Sequence, residues 1–442
     1  MSGVFKVACG GKQQSRIAVF TEFGGDTKAT LSALDSQNCD FTDGQIKNGV
    51  GIQRYAMEFY DVDNVFVFDP LDGNPVISGY IDRTGEFYQY NNEPSMPIGF
   101  HYRQNFGCEM KPIRAFAEDK TAKLIAVGKA GVYEHDKETR KFLPVYTDKE
   151  ISCARFWQSR LFCATGECEI IYSAPGNPTN FTQSLEEGGS ILFPAERGKI
   201  VGLEVLKDAL FVFYDYGIAK LTLAGSPKDF VWEWVGYGGG KIVPCSIASL
   251  GDKIFFLAED GAYRFDGYRA KKTAKELDLS PSTSFRCDCG ATDGRYYAVY
   301  QDNSCGKRAL AIDGGTEKGF FFFIPDSFCF WQGEIFCCLG QSAGLLKRNG
   351  TIPVEGYFTS NPTDFGVKGL KSLKKLTFYG QGRFEFTVST EGKSESFSLQ
   401  CWEGKAEAYT SLRGEEFSLD IRFLSPCSIY RIDAETVSFK SK

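Results

Sequence analysis

Several residue types are scarce in this sequence of 442 residues, and their scarcity narrows the range of functions. Its only histidines are His101 and His135, which lie 34 positions apart, and neither an HExxH nor a GxSxG motif is present. The sequence therefore offers few candidate residues for a catalytic triad or for a zinc-binding helix. We expect both histidines to be surface residues, and we expect the protein not to be an enzyme.

Metal-binding spacings are also missing. Fifteen cysteines are present, yet none forms a CxxC pair, and the nearest approach is the CDC of Cys287 and Cys289. A zinc ribbon needs two such pairs, so we predict neither a metal nor another cofactor. An odd number of cysteines in a long chain without an export signal favours reduced thiols packed in the core over a disulfide framework.

Excess positive charge and long apolar runs are absent as well. The chain has 50 Lys and Arg against 56 Asp and Glu, a net charge of -6, which argues against a polyanion-binding surface over the whole chain. The first residues, MSGVFKVACGGKQQSR, lack the apolar core of a signal peptide, and runs such as ALFVFY are too short for a membrane span. We expect synthesis in the cytoplasm and no membrane span.

Aromatic residues, by contrast, are abundant. The sequence contains 39 Phe and 21 Tyr but only 4 Met. Aromatic side chains are favoured on the pleated, half-buried surfaces of β-sheets. The composition therefore predicts an all-β protein.

A hairpin pattern recurs along the chain. LKDALFVFYDYGIAKLTL (206–223) and LGDKIFFLAEDGAYRFDG (250–267) align without gaps, each with an Asp before an apolar strand and a Gly at the reversal, which predicts a β-hairpin. Weaker copies flank them, and successive strand entries at Ser159, Asp208, Asp252, Asp293 and Gly333 are 49, 44, 41 and 40 residues apart. A four-stranded propeller blade takes about 40 to 50 residues. Strands without a polar face fit middle strands covered by neighbouring blades, although a sandwich of repeated hairpins is an alternative.

We therefore predict three segments. Residues 1–55 form an N-terminal arm that either closes the propeller with a strand or reaches a neighbouring subunit. Residues 56–361 form a β-propeller of about six to seven blades. Residues 362–442 form an appended C-terminal β-sandwich or sheet, since GRFEFTVST and FSLDIRF alternate with period two.

Basic residues cluster modestly at two places, where solvated faces are the ordinary interpretation. In a ring of subunits, however, one cluster per subunit would be repeated around an axis and could screen the phosphates of passing DNA. The candidate channel or DNA-facing residues are Arg269, Lys271, Lys272 and Lys275 in the first cluster and Lys368, Lys371, Lys374 and Lys375 in the second.

The order of segments from Ile151 to Leu279 resembles a known family. FWQSRLFCATGECEIIYSAPGNPTNFT is followed by GKIVGLEVLKDALFVFYDYGIAKLTLAG and CSIASLGDKIFFLAEDGAYRFDG. This succession resembles the tail-hub proteins of tailed bacteriophages, propeller proteins of the packaged-DNA stabilisation or tail-nozzle type. ALDSQNCDFTDGQIKNGVGI and YFTSNPTDFGVKGLKSLKKLTFYGQGRFEFTVST are similar to the family's early and C-terminal segments. The matching turn comprises Pro175, Gly176, Asn177, Pro178, Thr179 and Phe181.

The resemblance implies a virion component assembled in the host cytoplasm. Its subunits would form a homo-oligomeric ring, expected to be sixfold, below the portal and adaptor proteins, with DNA ejected through it and tail fibres or spikes attached outside. Two other functions fit the sequence: a carbohydrate-binding or glycoside-hydrolysing propeller, in view of the many aromatic and acidic residues, and a cellular propeller scaffold. No residue in the resemblance points to a reaction.

Overall fold

A computed structural model describes residues 7–9, 13–15, 19–23, 27–31, 33–40, 45–54, 64–68, 76–81, 85–91, 99–184, 187–223, 229–275, 277–331, 333–340, 342–348, 350–352, 354–365, 368–401, 404–423 and 426–439. These residues form strands and turns, with one 3-10 turn at Ala195–Arg197 and no α-helix among them. No helix in this part of the chain is long and apolar enough to cross a membrane. The predicted all-β fold class is confirmed.

Short strands occupy the N-terminal arm. The strands in its described residues are β1 (Val7–Cys9), β2 (Gln13–Ser15), β3 (Val19–Phe23), β4 (Thr27–Leu31), β5 (Ala33–Gln37), β6 (Cys39–Asp40), β7 (Ile46–Asn48) and β8 (Gly51–Arg54). β1 pairs with β2 and β3 pairs with β4 in two separate hairpins.

Six four-stranded antiparallel sheets follow, each built from four consecutive strands, and we call them blades 1 to 6. Blades 1 to 3 contain β9 (Asn64–Phe68), β10 (Val76–Ile81), β11 (Glu86–Asn91), β12 (Gly99–Asn105), β13 (Met110–Phe116), β14 (Ala122–Gly128), β15 (Gly131–Asp136), β16 (Lys141–Tyr146), β17 (Ile151–Trp157), β18 (Arg160–Thr165), β19 (Glu169–Tyr172) and β20 (Gly189–Leu192). Blades 4 to 6 contain β21 (Ile200–Leu206), β22 (Ala209–Tyr214), β23 (Gly217–Leu223), β24 (Phe230–Val235), β25 (Ala248–Leu250), β26 (Lys253–Ala258), β27 (Gly261–Phe265), β28 (Ala270–Thr273), β29 (Asp288–Thr292), β30 (Arg295–Asp302), β31 (Gly306–Asp313) and β32 (Gly319–Phe321).

A seventh four-stranded sheet, blade 7, closes the ring. It contains β33 (Ser327–Trp331), β34 (Glu334–Leu339) and β35 (Ser342–Lys347), and its fourth strand is β8 from the N-terminal arm, with Leu346 opposite Ile52. β33 packs beside β9 of blade 1, so the sheets follow one another around an axis as in a propeller. Of the two roles left open for the arm, the structure shows strand closure at β8.

The apolar run ALFVFY shows why the blades repeat. All six residues of β22 are buried. Leu210, Val212 and Tyr214 pack with residues of blade 3, whereas Phe211 and Phe213 pack with residues of blade 5. Neighbouring blades therefore cover both faces of the strand, and a polar face is not needed. The two predicted hairpins are also confirmed, since β22 pairs with β23 and β26 pairs with β27.

The C-terminal residues form a sheet that also recruits the N-terminal arm. β36 (Gly356–Ser360), β41 (Ser418–Phe423), β37 (Lys371–Thr390) and β42 (Ser428–Ser438) are joined by β5, β6 and β7. β38 (Lys393–Cys401), β39 (Lys405–Tyr409) and β40 (Arg413–Gly414) also pair with the long strand β37. β36 pairs with β41, so strand pairing in this sheet begins before residue 362, where the C-terminal segment was predicted to start. The predicted segment boundaries stay predictions.

Alternation in this sheet matches the period-two pattern. Phe384, Phe386 and Val388 are buried, and Arg383 and Glu385 on the opposite face are exposed. β37 exchanges partners near Gly380, where a Cβ would approach the Ser428 carbonyl oxygen to 1.9 Å. Glycine is therefore required at this point of the strand.

Asn38 joins the propeller to the C-terminal sheet. Its backbone N–H donates to the Phe321 carbonyl at the outer edge of blade 6 (2.9 Å). Its Nδ2 donates to the carbonyls of Val50 (2.9 Å) and Val354 (3.1 Å), while its Oδ1 accepts from the Val50 N–H (3.0 Å). The residue is fully buried with a φ of 51°, a left-handed conformation that asparagine tolerates better than most residues. Asn38 thus satisfies backbone groups from both parts of the molecule.

A buried ion pair lies at the same joint. Arg295 on β30 of blade 6 pairs with Asp40 on β6, and both side chains are at most 2% exposed. Arg295 also donates to the Gly49 carbonyl (3.2 Å), and its guanidinium carbon lies 5.0 Å from the centre of the Phe320 ring. The ion pair therefore fixes the N-terminal arm between blade 6 and the C-terminal sheet.

Candidate functional site

The axial channel of the propeller is the main concave site in the described residues. The first strands of six blades line it, namely β13, β17, β21, β25, β29 and β33. Two cavities of about 550 and 240 Å³ occupy it, and residues 111–112, 153, 155, 245 and 330 contribute to both. Cavities of this size hold a small molecule or water and are far too narrow for a DNA duplex.

Two ion pairs cross the channel between blades 2 and 6. Lys111 Nζ lies 3.3 Å from Asp288 Oδ1, and Arg286 pairs with Glu109. Arg286 also donates to the backbone carbonyl of Ser152 at the start of blade 3. Burial opposes the charge of Arg286, but the adjacent Cys245 and Glu109 raise the pKa of its guanidinium above the ordinary value, so it stays cationic. These contacts brace blades that do not pair through their strands.

A third ion pair links three consecutive blades. Arg155 on blade 3 pairs with Glu204 on blade 4, and the Ser249 hydroxyl of blade 5 donates to Glu204 Oε1 (3.3 Å). Burial raises the pKa of Glu204 above its usual range even though Arg155 favours the ionised form. The Val205 N–H also donates to this carboxylate (2.9 Å). The acid therefore serves as an interblade hydrogen-bond acceptor.

Cysteine thiols complete the lining. Cys153, Cys245, Cys287, Cys289 and Cys329 border the smaller cavity, and the cysteines from Cys39 to Cys427 are free of disulfide bonds. Burial, with the nearby Cys245 as a lesser cause, raises the pKa of Cys153 to about 12. Such a thiol stays protonated and is a poor nucleophile. Within the described part of the chain, no group of three or more His, Cys, Asp or Glu residues is arranged to hold a metal ion.

The first predicted basic cluster lies on the outer rim of blade 5. Arg269, Lys271, Lys272 and Lys275 are exposed and belong to β28 or flank it, whereas the strand that borders the channel is β25. Lys272 Nζ lies 2.8 Å from Asp260 Oδ2 and 5.8 Å from the centre of the Tyr263 ring. The cluster is thus remote from the axial channel of the propeller. Contact with DNA in a ring of subunits stays a prediction.

The second predicted cluster does not form one surface. Lys368 and Lys374 are exposed, and Lys375 forms an ion pair with Glu435 (2.7 Å). Lys371, however, is fully buried, and its Nζ donates to the carbonyls of Gly369 (3.1 Å) and Glu415. Burial lowers the pKa of this ammonium group. Its amine anchors the start of β37 and does not face solvent.

The turn that carries the family resemblance is an interblade contact. Asn177 and Thr179 bond through their side chains (2.9 Å), and the Gly176 N–H donates to the Ser159 carbonyl (2.8 Å). A Cβ at Gly176 would lie 2.8 Å from the Cβ of Glu118, and the Phe181 ring packs 5.5 Å from that of Tyr146. Glu118 and Tyr146 both belong to the blade 2 segment, so the turn attaches blade 3 to blade 2.

The sequence interpretation missed the channel residues, although a signal for them exists. Cys245, Cys287 and Cys329 are spaced 42 residues apart, which matches one blade step, and each lies at or just before the first strand of its blade. A residue type recurring at the blade period at that place points to the axis. The charged residues that form ion pairs in the channel show no such spacing in the sequence.

Comparisons with known proteins show distant structural similarity. No protein-family model and no curated protein matches the chain. Among solved structures, BBS1N in complex with ARL6DN shares 8% identity with a TM-score of 0.45, over 67% of this chain and 97% of that one. A fungal AA5-family alcohol oxidase in complex with copper shares 12% (TM-score 0.46; 84% and 93%). The extracellular domain of a hybrid two component system from B. thetaiotaomicron shares 10% (TM-score 0.46; 94% and 66%). Similarities this low support no transfer of function.

Proposed function

We propose that this propeller is a structural, non-enzymatic component of a phage tail. In this role it forms a hub or nozzle ring below the portal and adaptor proteins, gives passage to DNA and carries fibres or spikes. The order of segments over Ile151–Leu279 resembles that of tail-hub proteins, and the four-stranded sheets form a propeller.

The observation that carries the proposal is the use of charged residues as braces. The pairs Lys111–Asp288 and Arg286–Glu109 connect blades 2 and 6 across the axis, and Arg295–Asp40 fastens blade 6 to the C-terminal sheet. In each pair the two charged side chains contact one another and connect parts of the chain that share no strand pairing. A body braced in this way suits transmission of mechanical load better than turnover of a substrate.

The test is the assembly state of the purified full chain. We expect two-dimensional electron-microscope class averages and mass measurement to show a closed ring of about six copies, alone or captured on a phage portal-adaptor complex. A stable monomer that does not bind the portal-adaptor complex would overturn the proposal. The variant Lys271→Glu/Lys272→Glu then tests whether the rim cluster contributes to assembly, with Lys393→Glu on the C-terminal sheet as the control.

A second candidate, glycan binding, is favoured by one observation. Tyr409 and Tyr430 on the outward face of the C-terminal sheet are 69% and 48% exposed, and the Arg431 guanidinium stacks 5.0 Å from the centre of the Tyr379 ring. Exposed tyrosines offer an apolar ring and a polar hydroxyl at one site. Binding on a glycan panel that is lost in Tyr409→Ala/Tyr430→Ala would favour this function over the tail ring.

A further inference from the structure

The larger channel cavity has the walls of a ligand site. Its volume is about 550 Å³, within the range of small-molecule pockets. Ile113 and Phe116 of blade 2, Phe156 of blade 3, Val205 of blade 4 and Phe330 of blade 7 supply apolar surface. The rings of Phe116 and Phe156 lie 5.7 Å apart. Four blades thus contribute an apolar wall large enough for an aromatic or branched aliphatic group.

Charge is unevenly distributed along the channel. Among the described residues, the larger cavity is bordered by Lys111, Arg114, Arg155 and Arg286 and by one acid, Glu109. The acids Glu204 and Asp288 border the smaller cavity and not the larger one. Within this part of the chain, cations therefore outnumber acids at the larger cavity.

The ion pairs leave donors for a ligand. A guanidinium group carries five N–H donors, and the contacts of Arg155 to Glu204 and of Arg286 to Glu109 and Ser152 use one or two of them. Arg114 is held with its guanidinium carbon 4.8 Å from the centre of the Phe116 ring, where its charge lies beside the apolar wall. The thiol of Cys153 at the same wall stays protonated, because burial raises its pKa to about 12, and it adds no negative charge.

We propose that the larger channel cavity binds a small organic anion with an apolar body. Its carboxylate, sulfonate or phosphate group contacts the arginines of blades 2, 3 and 6, and its apolar part packs against Phe116 and Phe156. Binding is non-covalent and bridges blades that share no strand pairing. The ligand is therefore a stabiliser of the closed propeller, a role independent of the proposed tail function.

Matched probes test this inference on the full chain. We expect 2-naphthoate, naphthalene-2-sulfonate or 2-naphthyl phosphate to bind one site per chain in calorimetry, at least tenfold more tightly than 2-naphthamide, and to raise the melting temperature. Arg114→Gln weakens the anion at least tenfold, and Arg114→Lys restores part of the affinity. Val205→Phe fills the cavity and abolishes binding, whereas Lys271→Gln on the rim leaves it unchanged. Far-UV circular dichroism verifies that each variant folds.

Two outcomes would overturn the inference. One is equal affinity for the anions and the neutral amide. The other is the absence of saturable binding below about 1 mM for all three anions in the folded wild-type chain, since an affinity weaker than this corresponds to little more than fragment binding. Ring assembly without ligand binding would retain the tail proposal and reject this one, and the reverse result would do the opposite.

Discussion

At the scale of single residues, His135 lies where its charged form is poorly tolerated. Its ring packs 5.2 Å from Phe142 and 6.0 Å from Phe87, and its Nε2 is buried without a hydrogen-bond partner among the described residues. Both histidines are half-buried, and the buried Nε2 of His135 departs from the expectation of a surface residue. Burial lowers its pKa from 6.5 to about 4.

This shift predicts an acid-dependent loss of stability. Because the folded pKa is lowered, the unfolded chain binds the proton more readily, so the contribution is fully present above pH 6.5 and is lost as pH falls through about 4. We expect His135→Leu to flatten the stability–pH curve in this window by about 1–3 kcal/mol, measured by urea unfolding at several pH values. The prediction fails if the imidazole signal that His135→Leu removes from the NMR spectrum titrates near 6.5.

Single residues also mark the limit of sequence reasoning. Glu204 and Lys371 look like ordinary surface charges in the sequence, yet both are buried with specific partners. The burial of a charge depends on the strand that faces it, and that strand lies tens of residues away. The local sequence pattern therefore cannot distinguish a buried charge with specific partners from a charge on a solvated face.

At the scale of elements, the blades were predictable because each blade repeats the same hairpin. Strand propensity and turn glycines act locally, as in β22–β23 and β26–β27. The N-terminal strands were not predictable to the same degree. β5 pairs with β36 and β8 pairs with β35, so their partners lie about 300 residues further along the chain. A strand of three to five residues carries too little periodicity to reveal such a partner.

Closure by β8 gives the prediction at this scale. Ile52 is fully buried, and it exchanges backbone hydrogen bonds with Ile352 (3.0 and 2.9 Å). Ile52→Pro removes the N–H donor and the packed side chain, so we expect a loss of about 3 kcal/mol or more in urea unfolding. Ile52→Val keeps the donor and should cost only about 1 kcal/mol. Equal effects of the two variants would show that β8 does not hold the ring closed.

At the scale of the whole molecule, the arm makes the propeller and the C-terminal sheet interdependent. β5, β6 and β7 belong to the C-terminal sheet while β8 belongs to blade 7, so neighbouring stretches of one segment serve both bodies. The Asn38 contacts and the Arg295–Asp40 pair lie at the joint between the propeller and the C-terminal sheet. We therefore expect the two bodies to unfold together.

Asp40→Asn tests this dependence. The change removes the nearer carboxylate and leaves Arg295 only the longer contact with Asp313 (4.0 Å), and removing one partner of a buried pair costs about 3–5 kcal/mol. We expect near-UV circular dichroism and intrinsic fluorescence to report one shared transition at a lower urea concentration. Glu435→Gln, on the exposed side of the Lys375 pair, serves as the control and should change stability by less than about 1 kcal/mol. Two separate transitions in Asp40→Asn would contradict the interdependence.

The closure of blade 7 by β8 also sets an order of events during synthesis. β8 leaves the ribosome before β35, its partner, which is made almost 300 residues later. At about 5–20 residues per second, the strand waits roughly 15 to 60 seconds for that partner. During that interval the open edge and the apolar side chain of Ile52 are exposed to the cell, so chaperone binding to this short segment would govern the yield of the folded protein.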